Sequence, residues 1–146
     1  MQDVLPVHLS SLTHKLMEMG ADVQMPTPNS LRVSVPNRLT AQNVTTQPYP
    51  GFPTDLQAPM MSLLSICDGV SIIKETIYEN RFRQIGELKR MGADIAMERD
   101  VAVVTGVERL SGAEVIAKDL RAGAAMVIAG MIADGTTDIY ELHHLD

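Results

Sequence analysis

A loop gives way to a helix at Tyr49-Pro50-Gly51-Phe52-Pro53-Thr54-Asp55-Leu56-Gln57-Ala58. Pro50 and Pro53 restrict the backbone of this run and Gly51 leaves it free to turn, so the run predicts a defined loop. Thr54 or Asp55 then falls at the start of a helix, where a side-chain oxygen can cap free N–H groups near the positive end of the helix dipole. The alternative is that the Asp55 carboxylate binds a ligand hydroxyl or takes its proton. The local pattern alone favours capping.

The composition argues against several classes of protein. Apolar residues make up 45% of the chain, with ten Met and no Trp, which predicts an ordered and aliphatic core. The net charge of −6 argues against nonspecific binding of nucleic acid, which requires clustered Lys and Arg. A single Cys leaves no internal disulfide and fits a reducing cytoplasm.

The chain carries no membrane or export signal that we can identify. Its apolar runs fall well short of the ~20 residues needed to cross a bilayer. The start, Met1-Gln2-Asp3-Val4, lacks the basic and apolar regions of a signal peptide. We therefore expect a cytoplasmic protein that does not bind membranes.

Part of the chain is repeated. Met19-Gly20-Ala21-Asp22-Val23 returns as Met91-Gly92-Ala93-Asp94-Ile95. Apolar residues at helical spacing precede each copy, so we expect a helix that ends at the glycine, where a left-handed residue closes the last turn. Short β-rich runs follow each copy and predict two hairpins, one from residues 22–25 and 31–35 and one from 94–97 and 101–105.

The second half of the repeat places a helix before a strand. Asp55-Leu56-Gln57-Ala58 aligns with Asp119-Leu120-Arg121-Ala122, and each opens a helix that is apolar on most faces, over 55–67 and 119–133. Such helices belong in an interior. An Asp-Gly pair and a strand follow each helix, with the strands over 70–77 and 136–142. We therefore predict two helix–hairpin–strand–helix–strand units, 1–80 and 81–146, with the helices inside and the strands outside.

Four segments of the chain resemble one family, in the same order. They are the run over 49–58, then Lys74-Glu75-Thr76-Ile77-Tyr78-Glu79-Asn80-Arg81-Phe82, then Glu87-Leu88-Lys89-Arg90-Met91-Gly92-Ala93-Asp94, and finally Leu110-Ser111-Gly112-Ala113 with Asp119-Leu120-Arg121-Ala122. On these residues nearly the whole chain resembles the bacterial UDP-N-acetylglucosamine enolpyruvyltransferases. The last two segments also resemble the sister family that makes enolpyruvylshikimate phosphate, so a shikimate-pathway transferase is the nearest alternative.

The resemblance implies an α/β fold, the inside-out α/β barrel, in which a domain holds three such units and this chain holds about two. It also implies a piece of the C-terminal domain, without the family's lysine and reactive cysteine in the N-terminal domain and without its terminal arginine. We therefore expect the chain alone to be inactive. For the intact enzyme it implies transfer of enolpyruvyl from phosphoenolpyruvate to the 3-hydroxyl of UDP-N-acetylglucosamine, the step that opens peptidoglycan synthesis. No metal and no organic cofactor are expected.

The resemblance also implies roles for particular residues. Asp55 is expected to contact the acceptor sugar hydroxyl and to act as general base or proton relay. Ile77, at the end of a predicted strand, is expected to line the uridine-sugar site, although the sequence pattern alone favours ordinary strand packing. Arg81 and Arg121 are candidates for substrate binding, because a guanidinium is a planar fork suited to carboxylates and phosphates. Either arginine can instead form a structural pair, for example Arg121 with Asp119.

Other reactive residue types do not form a site in the sequence. Cys67 ends an apolar helix, so we expect a buried small hydrophobe with no positive charge nearby to lower its pKa. His143 and His144 fall on a predicted strand, where neighbours point to opposite faces and cannot chelate one metal together. His8 and His14 do not share a face of the predicted first helix, and the sequence has no His and Cys spacing typical of a zinc site.

Two expectations concern partners. A domain with one unit missing leaves apolar helix surface bare, and exposed patches of that kind drive association. A homo-oligomer formed through this surface is therefore expected. A function of another class, as a non-catalytic binding or assembly module, also remains open.

Overall fold

The computed structural model describes residues 1–144, and side chains are described through residue 143. Its helices are α1 (Ser10–Glu18), α2 (Gln57–Leu64), α3 (Ile85–Arg90) and α4 (Leu120–Ile132). Short 3₁₀ helices cover Pro6–Leu9, Thr54–Leu56 and Leu142–His144. The second of these runs directly into α2, so the loop before Thr54 leads into a helix, as predicted.

Ten short strands form four separate sheets in the described part of the chain. They are β1 (Asp22–Gln24), β2 (Arg32–Ser34), β3 (Val44–Thr45), β4 (Val70–Lys74), β5 (Asp94–Glu98), β6 (Val101–Thr105), β7 (Leu110–Ser111), β8 (Glu114–Ile116), β9 (Ala133–Asp134) and β10 (Asp138–Tyr140). The largest sheet has the order β3-β4-β6-β5, and the others are the pairs β1–β2, β7–β9 and β8–β10.

The two copies of the Met-Gly-Ala-Asp segment have the same local structure. Helices α1 and α3 each end before a glycine with left-handed backbone, Gly20 at φ +102° and Gly92 at φ +92°. An antiparallel hairpin follows each, β1–β2 in the first copy and β5–β6 in the second. Both hairpins and both helix ends were predicted, and they are confirmed.

Each buried helix is framed by a parallel pair of strands, one before it and one after it. Val44 of β3 pairs with Ile73 of β4 around α2, and Val115 of β8 pairs with Ile139 of β10 around α4. Connecting parallel neighbours through a helix is the usual crossover, since a tight turn cannot reverse the chain between them. The sequence pattern missed β3 and β8, which are only two and three residues long.

Both predicted strands after the buried helices are shorter than expected. The strand over 70–77 ends at Lys74, because the N–H groups of Ile77 and Tyr78 donate to the Glu75 carboxylate instead of continuing a ladder. The strand over 136–142 shrinks to Asp138–Tyr140, and Glu141 ends it with a left-handed backbone at φ +59°. The predicted Ile77 position at a strand end is therefore wrong.

The core lies between α2 and α4, which pack side by side as predicted. Met61, Leu64 and Met126 are fully buried there. The small residues of α4, such as Ala125, let the helices approach closely, and the Oγ of Ser62 donates to the Ala125 carbonyl oxygen at 2.8 Å. Each buried side chain of this size contributes roughly 1.5–3 kcal/mol.

The strands form the outer layer. Along β4 the side chains alternate, with Ser71 and Ile73 buried against the helices and Val70 and Ile72 exposed. The expected arrangement of helices inside and strands outside is confirmed. It follows from the apolar sequences of α2 and α4, which have no charged face to turn toward water.

One side of the helix layer is bare. Met131 of α4 is 81% exposed, and an apolar groove of about 240 Å³ runs between α1, α2 and Ile128. A bare apolar face was expected. The homo-oligomer expected to cover it stays a prediction.

None of the helices in the described residues is both long and apolar enough to cross a membrane.

Candidate active site

Asp55 is presented by a 3₁₀ turn and caps no helix. The N-cap of this turn is Pro53, and no side chain caps either the turn or α2. The loop before it is fixed by the buried ring of Phe52 and by a backbone hydrogen bond from Gln47 N–H to the Phe52 carbonyl, 2.9 Å long. The capping interpretation of Thr54 and Asp55 is therefore wrong, which leaves the carboxylate available for other contacts.

Two arginines from distant parts of the sequence meet at the Asp55 carboxylate. Arg81 Nη1 donates to Asp55 Oδ1 at 3.0 Å, and Arg121 Nε donates to the same oxygen at 2.5 Å. We call Asp55, Arg81 and Arg121 the arginine–aspartate cluster. The structure thus brings together three of the four residues that the sequence singled out.

The cluster fixes the charge of Asp55. The hydrogen bond from Arg121 is the largest influence and lowers the carboxyl pKa below its ordinary value, with Arg81 adding to it and partial burial opposing it. Asp55 is therefore a carboxylate at neutral pH and can only accept hydrogen bonds. Its side chain remains 64% exposed, so a ligand hydroxyl can reach it.

Arg121 is aimed by the start of α4. Asp119 is the N-cap of that helix, and its Oδ1 accepts from the N–H groups of Arg121 and Ala122 at 3.0 and 2.9 Å. Its carboxylate is therefore engaged with the backbone, and the guanidinium of Arg121 turns to Asp55. The predicted structural pair between the side chains of Arg121 and Asp119 is not formed.

Arg81 is held from two further sides. Its Nη1 donates to Thr54 Oγ1 at 2.9 Å, and its guanidinium lies 4.0 Å from the centre of the Tyr78 ring. A cation over an aromatic face is an attractive arrangement. These contacts leave the Arg81 side chain 20% exposed, so it is partly withdrawn from water.

Ile77 lies beside the cluster, on a bend after β4. It is half-buried and lines an open cavity of about 530 Å³ together with Tyr78, Arg81 and Asp119. The cavity is large enough to hold part of a ligand of ordinary size. Ile77 is thus at a candidate ligand surface, even though its local structure differs from the predicted strand.

A buried pair of amides beside the cluster was missed by sequence reasoning. Gln84 Nε2 donates to Gln57 Oε1 at 2.9 Å, and both residues are at most 2% exposed. They line a cavity of about 40 Å³ with Arg81 and Arg121. Gln57 Nε2 has no hydrogen-bond partner among the described residues. The only available signal was a polar residue, Gln57, in the first turn of an otherwise apolar helix.

Cys67 is not part of the site. It is 1% exposed, and burial raises the pKa of its thiol to about 11. The expectation of a buried small hydrophobe is confirmed. The expectation that no positive charge lies nearby is wrong, because Arg38 donates to the Cys67 carbonyl and favours the thiolate, but burial outweighs it.

The histidines form no metal centre in the part of the chain that the structure describes, where no group of three His, Cys, Asp or Glu could hold an ion. His8 lies in the 3₁₀ helix Pro6–Leu9 and His14 in α1. His143 and His144 lie in the 3₁₀ helix Leu142–His144 and not on the predicted strand, and the side chain of His144 is outside the described residues.

Solved structures of enolpyruvyl transferases share this fold. The enolpyruvyl transferase NikO from Streptomyces tendae superposes with a TM-score of 0.84 at 26% identity, over 94% of this chain and 32% of that one. EPSP synthase from Acinetobacter baumannii gives a TM-score of 0.65 at 16% identity, over 89% of this chain and 31% of that one, and is similar in fold alone. The inside-out α/β architecture is therefore that of the enolpyruvyl transferases.

The chain belongs to the family described as EPSP synthase (3-phosphoshikimate 1-carboxyvinyltransferase), which it matches over residues 1–146. Its relatives include proteins named UDP-N-acetylglucosamine 1-carboxyvinyltransferase. That of Clostridium botulinum is 51% identical over 99% of this chain and 34% of that protein, and that of Gloeobacter violaceus is 52% identical over 98% and 31%. The chain thus spans about a third of the length of these curated relatives. The resemblance found in the sequence motifs is confirmed.

Proposed function

We propose that the chain forms part of the active site of a transferase that moves enolpyruvyl from phosphoenolpyruvate to the 3-hydroxyl of UDP-N-acetylglucosamine, the step that opens peptidoglycan synthesis. One observation carries the proposal: Asp55 is an exposed carboxylate held by two arginines beside an open cavity. The 51% identity to a relative of that name supports the choice of substrate class. Such a protein works in the cytoplasm, where both substrates are made, and needs no organic cofactor or metal.

The proposed reaction needs a general base, and a carboxylate that is already ionised before the substrates bind can serve as one. In the addition step, Asp55 takes the proton of the sugar hydroxyl as the hydroxyl oxygen bonds to C2 of phosphoenolpyruvate, and the C2–C3 π electrons take up a proton at C3 from a general acid that we assign to the rest of the protein. In the elimination step, C3 loses a proton as the bond from C2 to the phosphate oxygen breaks, which restores the C2–C3 double bond and releases inorganic phosphate. Arg81 and Arg121 hold the Asp55 carboxylate and present cations to the anionic groups of the substrates. Ile77 lines the sugar-nucleotide side of the cavity. The roles of these four residues are part of the proposal.

Two alternatives are weaker. A shikimate-pathway transferase agrees with the fold, but the EPSP synthase structure is only 16% identical, against 51–52% for the relatives that carry the sugar-nucleotide name. A non-catalytic module has no specific observation in its favour. For the organisation of the chain we propose two repeat units that meet near residue 80, between β4 and α3.

The decisive experiment measures phosphate release from phosphoenolpyruvate and UDP-N-acetylglucosamine by the purified full-length protein. Asp55→Asn is expected to lower kcat by about 10²–10⁴-fold, the usual loss for a positioned general base. Asp134→Asn is the matched control, because Asp134 is 63% exposed and also bonds an arginine, Arg109, at 2.7 Å. The control should keep full turnover.

Two outcomes count against the proposal. If Asp55→Asn turns over like the unchanged protein while its melting temperature falls, the carboxylate serves stability and not catalysis. If 3-phosphoshikimate replaces the sugar nucleotide as acceptor, the substrate class is wrong. Residues 1–146 assayed alone should release no phosphate, because the proposal takes the rest of the site from the other two-thirds of the protein.

A further inference from the structure

A buried carboxylate that the proposed reaction does not use lies behind the cluster. Glu75 follows β4 and is 6% exposed. Its Oε1 accepts from Thr46 Oγ1 at 2.7 Å, from Ile77 N–H at 2.9 Å and from Tyr78 N–H at 3.2 Å, while its Oε2 accepts from Thr54 Oγ1 at 3.0 Å. No ion pair of residues 1–143 includes Glu75. Neutral donors alone therefore satisfy this carboxylate.

The four donors explain why a carboxylate stands at this position. Burying a carboxylate is costly unless every lone pair is matched, and an amide of the same shape would offer two N–H groups to partners that themselves donate. Glutamine at position 75 could keep its oxygen toward the N–H groups of Ile77 and Tyr78, but its NH₂ group would then donate to Thr54 Oγ1 and reverse that hydrogen bond. Only an acceptor on both sides keeps the Thr54 proton engaged.

The direction of the hydrogen bonds is fixed by Glu75. A hydroxyl has one proton, and Thr54 gives it to Glu75 Oε2. The lone pairs of Thr54 Oγ1 are then free to accept from Arg81 Nη1 at 2.9 Å, and the same nitrogen donates to Asp55 Oδ1. One chain of hydrogen bonds thus runs from a buried carboxylate to the exposed one.

A second connection reaches the same arginine from the other side. Glu75 holds the N–H groups of Ile77 and Tyr78, and the ring of Tyr78 lies under the Arg81 guanidinium. Ile77, Tyr78 and Arg81 all line the open cavity. Both connections from Glu75 therefore end at Arg81 and at the wall of the cavity.

From this network we infer that Glu75 is a positioning residue, which acts through Thr54 and the 77–78 turn to set Arg81 against Asp55 and so to shape the sugar-binding side of the cavity. The inference rests on the proposed function, since it takes the cluster to be the reacting centre. Glu75 itself touches no substrate. We call the hydrogen-bonded chain from Glu75 through Thr54 to Arg81 the relay. Misplacing a catalytic group by about 1 Å can cost on the order of 10²-fold in rate, so the relay affects turnover although Glu75 takes no part in the reaction.

The test compares threonine variants in the full-length protein. Thr54→Val keeps the shape and removes both hydrogen bonds, and it should lower kcat by about 10- to 100-fold. Thr54→Ser restores the hydroxyl and should restore turnover. Glu75→Gln should also lower kcat, because its amide reverses the hydrogen bond with Thr54 Oγ1 and turns the hydroxyl. Ser71→Ala is the matched control, because Ser71 is fully buried in β4 and its Oγ has no partner among the described residues; it should leave kcat unchanged.

A double-mutant cycle separates the relay from general loss of stability. If Thr54 acts through Arg81, Thr54→Val should cause no further loss of kcat in an Arg81→Met background, whereas independent structural effects would multiply. The relay is overturned if the losses of kcat in the two single variants multiply in the double variant, or if Thr54→Val and Glu75→Gln both keep full turnover. The proposed function survives either result as long as Asp55→Asn is inactive. Full turnover in Asp55→Asn would overturn the proposed function and the relay together.

Discussion

Gly106 passes so close to Cys67 that a Cβ on Gly106 would lie 1.6 Å from the carbonyl oxygen of Cys67. Gly106 follows β6, and Cys67 lies just beyond the end of α2. Contact with backbone cannot be relieved by turning a side chain. This glycine therefore sets the distance between the largest sheet and the buried helix layer.

Gly106→Ala should destabilise the protein by at least about 2 kcal/mol, since the sheet or the helix end must move to admit the methyl group. Urea unfolding measures the change. Gly86→Ala is the control, because a Cβ there meets no atom within 4 Å. Alanine in α3 should raise the free energy of unfolding by roughly 0.5–1 kcal/mol. A stable Gly106→Ala protein would show that the two layers are not in close contact.

The hydrogen bond between α2 and α4 gives a second prediction. Ser62→Ala removes the donor to Ala125 and should cost about 1 kcal/mol. Ser65→Ala removes a bond of similar length, 2.9 Å from the C-cap of α2 back to Met61 of that helix, so it should cost less because no contact between the two helices is lost. Equal losses in thermal or urea unfolding would mean that the contact between the helices adds no stability of its own.

The pKa of Asp55 predicts a dependence of stability on pH. Because Arg121 and Arg81 lower that pKa in the folded state, the contribution is complete above the unfolded value of about 3.9 and is lost as pH falls through the folded value. The carboxylate is mostly exposed, so solvent and salt weaken the effect.

Urea unfolding of Asp55→Asn and of the unchanged protein, each at pH 7 and at pH 3, measures this contribution. The variant should lose less stability than the unchanged protein between the two values. The difference between the proteins should shrink in about 1 M salt, where the screening length is only about 3 Å. Identical losses at low salt would rule out a stabilising ion pair.

Cys67 should resist alkylation. With a pKa of about 11 the side chain is a thiol at neutral pH, and the thiolate is the reactive form. Peptide mapping after iodoacetamide treatment should find the Cys67 peptide unmodified in the folded protein and fully modified in denaturant. Rapid labelling of the folded protein would mean that the end of α2 opens readily.

Sequence periodicity was sufficient for the helices and hairpins because their signals are local. Leu12 and Leu16, both partly buried, mark the side of α1 that packs against the core, and the glycines at 20 and 92 mark the helix ends. The strand over 70–77 shows where such signals fail. Its apolar alternation continues to Ile77, but the N–H groups of Ile77 and Tyr78 donate to the Glu75 carboxylate and not to a neighbouring strand. Hydrophobic periodicity does not reveal a side chain that replaces the hydrogen bonds between strands.

The site was only partly predictable for a similar reason. Asp55 and Arg121 stood out individually through their motifs, yet their contact spans 66 positions in the chain. It forms because the first turns of α2 and α4 lie at the same end of the packed pair. The pairing of Gln57 with Gln84 joins the first residue of α2 to the residue before α3, 27 positions apart, so a glutamine in an apolar helix could not be assigned a partner from sequence.

Strand β4 hydrogen-bonds to β3 on one side and to β6 on the other, five residue pairs deep on the β6 side. In the two-unit organisation proposed above, β4 lies in the first unit and β6 in the second. Neither unit can unfold its part of this sheet without breaking hydrogen bonds of the other. The chain should therefore unfold in one cooperative transition, with the amides shared by β4 and β6 among the slowest to exchange with deuterium.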